Sequence, residues 1–265
     1  MYYSSMGIGY MLVMVGQERV YSNALCVDIK HLMMETTVQT VERRWMRWKM
    51  VILVASCDNH KDTFYPFHHC MEKYWPEHPR VIYSTETIIN PYYTTIHINY
   101  PLDIWSARIR ETLEQIKDRE VLLVVDDVFI RRPVDVKRVQ DALLLLKDNV
   151  ACVNFERVYD TQNYPYADGF MIRRKGAKWE VSIQCGLWDR DKLMDVLSED
   201  CNPWEVEERQ HSKGYDYLIN AGDYIIDYGY RNMRYFGLHS ERWCREIIPF
   251  FQQEGIEVDT SRGVI

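Results

Sequence analysis

No stretch of this chain reaches the roughly 20 consecutive apolar residues that a membrane-spanning helix requires. The most apolar N-terminal run, Met6 to Val15, is interrupted by Gly7, Gly9 and Tyr10. It has no basic residues before it and no small-residue cleavage site after it, so it does not read as a signal peptide. A cytoplasmic location is the resulting expectation. A basic excess is also missing: the formal net charge is −7, whereas a nonspecific nucleic-acid binder needs positive charge to neutralise phosphates. The seven cysteines (26, 57, 70, 152, 185, 201 and 244) are scattered, with no CxxC spacing. That pattern excludes a zinc ribbon or disulfide framework and points to buried thiols in a reducing compartment. Internal repeats, low-complexity tracts and a glycine-rich phosphate loop are absent too.

What is present suits one large α/β domain. The 265 residues are 47% hydrophobic and 27% charged, enough apolar surface for a sizeable core and too much for intrinsic disorder. Residues 1–49 read differently from the rest, with Met1, Met6, Met11, Met14, Met33 and Met34 and little clean periodicity. They form either an extension that packs or binds a partner, or a sequence lying upstream of a natural start at Met50. The expected domain is 50–265.

From Met50 onward, strand and helix signals alternate. Met50 to Ser56 is a short apolar run of the kind buried on both faces of a sheet. A helix is expected over His60 to Trp75, with Pro66 near its start, and a strand over Arg80 to Ser84. Asp103 to Lys117 reads as a helix capped by Asp103, with Trp105, Ile109, Thr112 and Ile116 along one side and an Arg110–Glu114 pair outside. Val121 to Val125 reads as a central strand. A helix from Asp135 to Lys147, a strand from Val150 to Phe155 and a loop or hairpin over Tyr159 to Lys178 follow. Glu180 to Gln184 is strand-like and leads to helices at Asp189–Leu197 and Pro203–Lys213. Repeated β-α-β units predict a mostly parallel, Rossmann-like sheet with helices on both faces and ligands at the carboxyl ends of strands.

Asp126-Asp127 ends the most hydrophobic strand. Two neighbouring carboxylates there are costly, because desolvation and mutual repulsion both oppose ionisation. A divalent cation resolves that cost: Mg²⁺ or Mn²⁺ takes hard oxygen ligands and bridges carboxylates to a diphosphate. The alternative is that one Asp caps a turn and the other is solvated.

Asp126-Asp127-Val-Phe129 is similar to the Asp-x-Asp-like element of GT-A glycosyltransferases. Gln184-Cys-Gly-Leu-Trp188 and Asn202-Pro-Trp-Glu-Val-Glu207 resemble paired elements of bacterial and phage sugar transferases of polysaccharide-synthesis type. The strict Asp-x-Asp spacing is missing, and Val206 stands where Phe is usual. The resemblance spans about residues 50–260. It implies a GT-A fold and transfer from a nucleotide-diphosphate sugar, a uridine diphosphate sugar first of all, to a hydroxyl acceptor such as a surface glycan. Asp126 and Asp127 would hold Mn²⁺ or Mg²⁺. Ser56, Asp58, Trp105, Ser106 and Arg108 would hold the nucleotide, and Gln184, Trp188 and Trp204 the acceptor. Glu205, in the first turn of its helix, would act as base ahead of Glu207, since two positions on a helix lie about 200° apart and both cannot enter one site. Asn202-Pro203-Trp204-Glu205 is also a capping box with Pro at N1, a purely structural role. Trp188 can equally be core.

Three other readings stay open: hydroxymethylated phage DNA as acceptor, a binding module without transfer, and a nucleotidyltransferase. His239 is a further candidate for metal or phosphate, and His68-His69 read as a helix surface.

Overall fold

A computed structural model describes residues 48–155, 163–167, 169–208, 213–229 and 236–265. These belong to one compact unit, Trp48–Ile265. The N-terminal extension, apart from its last two residues, lies outside the described residues.

Nine strands form the main sheet: β1 (Met50–Ala55), β2 (Val81–Thr85), β3 (Thr94–His97), β4 (Glu120–Val125), β5 (Val150–Asn154), β6 (Asn163–Ala167), β7 (Phe170–Arg173), β8 (Gly186–Asp189) and β9 (Asp216–Asn220). Their order is β3-β2-β1-β4-β8-β5-β9-β7-β6. Only β8 and β7 run against the others, so the sheet is mostly parallel, as its sequence predicts. A small hairpin, β10 (Leu238–His239) and β11 (Arg242–Trp243), lies outside it.

The helices cover both faces because alternate strand residues point opposite ways. Met50, Ile52, Val54, Leu122 and Val124 pack with α1 (Phe64–Tyr74), α3 (Val136–Leu143) and α6 (Ile247–Glu254). Val51, Leu53, Val121 and Leu123 pack with α2 (Trp105–Glu114), α4 (Arg190–Val196) and α5 (Pro203–Glu208). Pro66 sits in the first turn of α1, where a missing N–H costs nothing. Asp135 caps α3 by accepting from the Arg138 amide, and Asp189 caps α4 from the Asp191 and Lys192 amides.

Several expected details differ. A 3₁₀ turn, Leu102–Ile104, absorbs Asp103, so α2 begins at Trp105 without a side-chain cap; the Ser106 amide is satisfied by the Cys201 carbonyl instead. Arg110 does not pair along its helix but reaches the Leu197 carbonyl and Asp200. Helix α3 stops at Leu143, and turns carry the chain on to Val150. The expected strand at 180–184 is irregular, bent chain, and the strand is Gly186–Asp189. Gly186 makes that strand possible, since a Cβ there would stand 2.6 Å from Trp188 Nε1 and 2.9 Å from Cys152 Sγ. Helix α5 is described only to Glu208 of its expected span, because 209–212 lie outside the described residues. Among the described residues no disulfide forms, and all six cysteines except the half-buried Cys57 are buried. No helix there is long and apolar enough to cross a membrane.

Candidate active site

The parallel register of β1 and β4 sets Ala55 beside Val125. The next residues, Ser56 and Asp126, therefore leave the sheet side by side. Ser56 Oγ donates to Asp126 Oδ2 at 2.5 Å. A 3₁₀ turn after β1, Asp58–Thr63, brings two more partners: His60 Nδ1 lies 2.9 Å from Asp126 Oδ1, and Thr63 Oγ1 lies 3.1 Å from Oδ2. Asp126 is 1% exposed, and both its oxygens are engaged. Burial opposes a charged imidazole at His60, yet the hydrogen bonds to Asp126 and Cys57 and the Asp126 charge together outweigh it and raise the His60 pKa well above its ordinary value.

Asp127 behaves differently. Its carbonyl accepts from the Leu238 amide at 2.8 Å, while its carboxylate Oδ1 is buried and has no hydrogen-bond partner. Burial, and then the negative charge of Asp126, push the Asp127 carboxyl up to about 7, with the His60 charge opposing. Gly237 is obligatory beside it, because a Cβ there would lie 1.8 Å from the Asp127 carbonyl oxygen.

Both aspartates line a cavity of about 880 Å³ at the carboxyl ends of β1 and β4. Ser56, Asp58, Trp105 and Arg108 line it as well. Asp58 accepts from the Thr87 and Ile88 amides, at 2.9 and 3.1 Å, and its own amide donates to Glu86 Oε2 at 2.7 Å. Arg108, 2% exposed, is paired with Glu86, and its Nε has no partner. Ser106 does not reach the cavity: it is fully buried, with its hydroxyl joined to the Glu199 carbonyl and the Cys201 amide.

Glu207, Gln184 and Trp204 also face this space. Glu207 is buried; its Oε1 accepts from the Ile183 amide at 2.9 Å and Ser182 Oγ at 3.0 Å. Burial raises its pKa against those two bonds. Glu205 instead closes the capping box: its amide donates to Asn202 Oδ1 at 2.9 Å, and Asn202 N donates to Glu205 Oε2 at 3.1 Å. The preference for Glu205 is therefore corrected: its carboxylate is used by the capping box, and Glu207 is the glutamate that lines the cavity. Trp204 is 62% exposed, whereas Trp188 is wholly buried on the α2 face of the sheet. An acceptor shelf at Trp188 is therefore corrected to a core position, because its indole has no surface to offer a sugar.

The sequence reading overlooked three cavity or network residues: His60, Glu86 and Glu241. His60 follows the end of β1 closely, which was an available signal; Glu241 lies 114 residues after Asp127, and no local pattern marks it. His239 is exposed on β10, and His68 stacks on Tyr92 with ring centroids 4.4 Å apart.

Asp127 Oδ1 offers an acceptor that no protein group uses, and this fits one ligand position on a hard cation. Asp126 Oδ2 accepts from both Ser56 and Thr63, while its Oδ1 faces His60 Nδ1 alone and keeps a lone pair for a second ligand position. Among the described residues no three His, Cys, Asp or Glu side chains are grouped as a cage. A hard cation held at Asp127 would take most of its coordination from substrate phosphates and waters.

No family model and no curated protein matches the sequence. Among solved structures, the chain is similar to S. aureus TarS residues 1–349, with 11% identity, 68% of this chain and 59% of that chain covered, and a TM-score of 0.46. It is similar to the galactosyltransferase LgtC in complex with donor and acceptor sugar analogs, with 17% identity, coverages of 55% and 59%, and a TM-score of 0.34. For 2-C-methyl-D-erythritol 4-phosphate cytidylyltransferase from Thermus thermophilus the values are 13%, 69% and 92%, and 0.40. The chain spans less than two thirds of the length of the first two. The fold itself is mixed α/β, with a large, mostly parallel central sheet.

Proposed function

We propose that this chain is a glycosyltransferase that moves a sugar from a nucleotide-diphosphate sugar, a uridine diphosphate sugar first of all, to a hydroxyl of a surface glycan. One observation carries the reading. A single cavity at the carboxyl ends of parallel strands is lined by a partnerless buried carboxylate oxygen on Asp127 and by the buried carboxylate of Glu207, from a different element.

Asp127 would hold Mg²⁺ or Mn²⁺ together with the donor's diphosphate. Such an ion supplies Lewis-acid stabilisation of the leaving diphosphate. Arg108 and Asp58 stand on the nucleotide side, each position fixed by Glu86. Glu207 suits a base: burial raises its pKa toward the working range, while the Ile183 amide and Ser182 hydroxyl fix Oε1. It would take the acceptor hydroxyl proton as that oxygen bonds the anomeric carbon and the bond to the diphosphate breaks. Trp204 offers an exposed indole face for a sugar ring, and Gln184 an amide for its hydroxyls.

Turnover of uridine diphosphate sugars, with and without Mn²⁺, tests the reading. Metal-dependent release of uridine diphosphate that Asp127→Asn abolishes is the expected result. Tight donor binding with no turnover on any acceptor would instead identify a binding module.

A further inference from the structure

The chain that leaves β7 is basic in an otherwise acidic protein. Arg173-Arg174-Lys175 and Lys178 place four cations in six residues, against a net charge of −7 for the whole sequence. Arg173 is buried, and Lys175 is engaged by Asp216 Oδ1 at 2.9 Å. Arg174 and Lys178 are exposed, and neither meets a carboxylate among the described residues.

Two successive turns build this loop. The Ala177 amide donates to the Arg174 carbonyl at 3.1 Å, and the Glu180 amide to the Ala177 carbonyl at 3.0 Å. The third residue of each turn has positive φ: Gly176 at 71° and Trp179 at 63°. That position ordinarily takes Gly or Asn, so Gly176 conforms and Trp179 does not. Two buried side chains hold the arrangement. Arg173 Nη1 donates to the Trp179 carbonyl, and Glu180 Oε2 accepts from the Gly176 amide at 2.6 Å. The indole they fix is 38% exposed, with Lys178 Nζ 4.7 Å from its ring centroid. Bulky residues kept at positive φ cluster where ligands are gripped.

The loop leads directly to Glu207. Trp179 precedes Ser182 by three residues, a reach of at most about 11 Å, and Ser182 Oγ bonds Glu207 Oε1. Trp204 stands one helical turn before Glu207 on α5. Exposed indoles therefore flank Glu207 along the chain, Trp204 at the cavity and Trp179 outside it beside unpaired cations. An aromatic face next to cations suits a sugar ring that carries a negative group.

We propose that the acceptor is an anionic glycan chain. A unit beyond the reacting sugar lies on Trp179, and its phosphate or carboxylate is met by Arg174 and Lys178. The inference rests on the transferase reading of the cavity and adds the acceptor's charge and minimum length. A nucleic acid fits less well, since two unpaired cations on so acidic a chain are few for neutralising a phosphate backbone.

Calorimetric titration of the full chain with pentagalacturonate, phosphomannopentaose and maltopentaose provides the test, the first two separating carboxylate from phosphate. At least one anionic chain is expected to bind about tenfold more tightly than maltopentaose, and to weaken as salt rises. Lys178→Glu should lose that advantage. Lys147→Glu, an equal change of charge at an exposed site after α3, should keep it. Trp179→Gly relaxes its turn, so it should melt no lower than the parent while binding on the order of tenfold more weakly. Equal affinity for neutral and anionic chains, or parent affinity in either the Lys178 or the Trp179 variant, overturns the proposal. So does oligothymidylate binding more tightly than both anionic glycans. Uridine diphosphate sugars left intact beside a bound anionic glycan would overturn the transferase reading and not this binding surface.

Discussion

His60 Nδ1 meets Asp126 Oδ1 at 2.9 Å across 66 residues of sequence, and that bond ties the turn after β1 to the end of β4. Both side chains are largely out of water, His60 at 13% exposure and Asp126 at 1%. Truncating one member of such a pair strands the other, at a cost of about 3–5 kcal/mol. Asp126→Ala is expected to lose stability on that scale in urea unfolding. A loss below about 1 kcal/mol would show that the Asp126 network does not hold the fold.

Asp127 is expected to act in the opposite sense. Its carboxyl titrates near 7 in the folded chain and near 3.9 in an unfolded one. Between those values the folded state binds more protons, so stability falls as pH rises from about 4 to about 7. Asp127→Asn removes this penalty. Without metal it is expected to unfold with a gain on the order of 2–4 kcal/mol at pH 8 and with little change near pH 4. Parallel urea curves at the two pH values measure the difference, and an equal effect at both would contradict it.

Glu205 and Glu207 are expected to separate cleanly. Glu205→Ala breaks the capping box and costs about 1 kcal/mol of stability, with kcat unchanged. Glu207→Gln is nearly isosteric and should fold, but loses roughly 10²–10⁴-fold in kcat if it takes the acceptor proton. Steady-state rates beside thermal unfolding of both variants decide it. A large kcat loss in the Glu205 variant would reverse the roles.

The tryptophans give a similar contrast. Trp188→Ala empties a fully buried site and is expected to cost about 3–5 kcal/mol. Trp204→Ala, on the exposed rim, should change stability by no more than about 0.5 kcal/mol and raise the acceptor KM. Unaltered KM with every acceptor tried would remove Trp204 from the binding surface.

Much of the scaffold was readable because its signals are local. The apolar runs at Met50 and Val121 are strands, Trp105, Ile109 and Thr112 lie along one buried helix face with Ile116 buried just past the helix end, and Asp135 and Asp189 cap the helices they precede. Asn202 and Glu205 form the capping box that their spacing implies. What escaped depends on partners far along the chain. Asp126 looked equivalent to Asp127, and only its neighbours at Ser56, His60 and Thr63 divide them. Gly186 gave no hint that it opens an antiparallel strand between β4 and β5, since the crowding that demands a glycine comes from Trp188 and Cys152. Asp103 lost its cap role because a carbonyl from Cys201 had already served the helix start.

Arg262 pairs with Asp62, 200 residues earlier, and contacts Glu241 on the way. A ribosome adding about 5–20 residues per second needs roughly 7–27 seconds to pass from Asp127 to Arg262. Through that interval a nascent chain already carries the strands that floor the cavity but not the hairpin that edges it. The rim of the cavity therefore waits on the last segment to emerge, and a protein cut short before Gly237 would lose that rim together with Trp243, Ile247 and Phe251, which cover one face of the sheet.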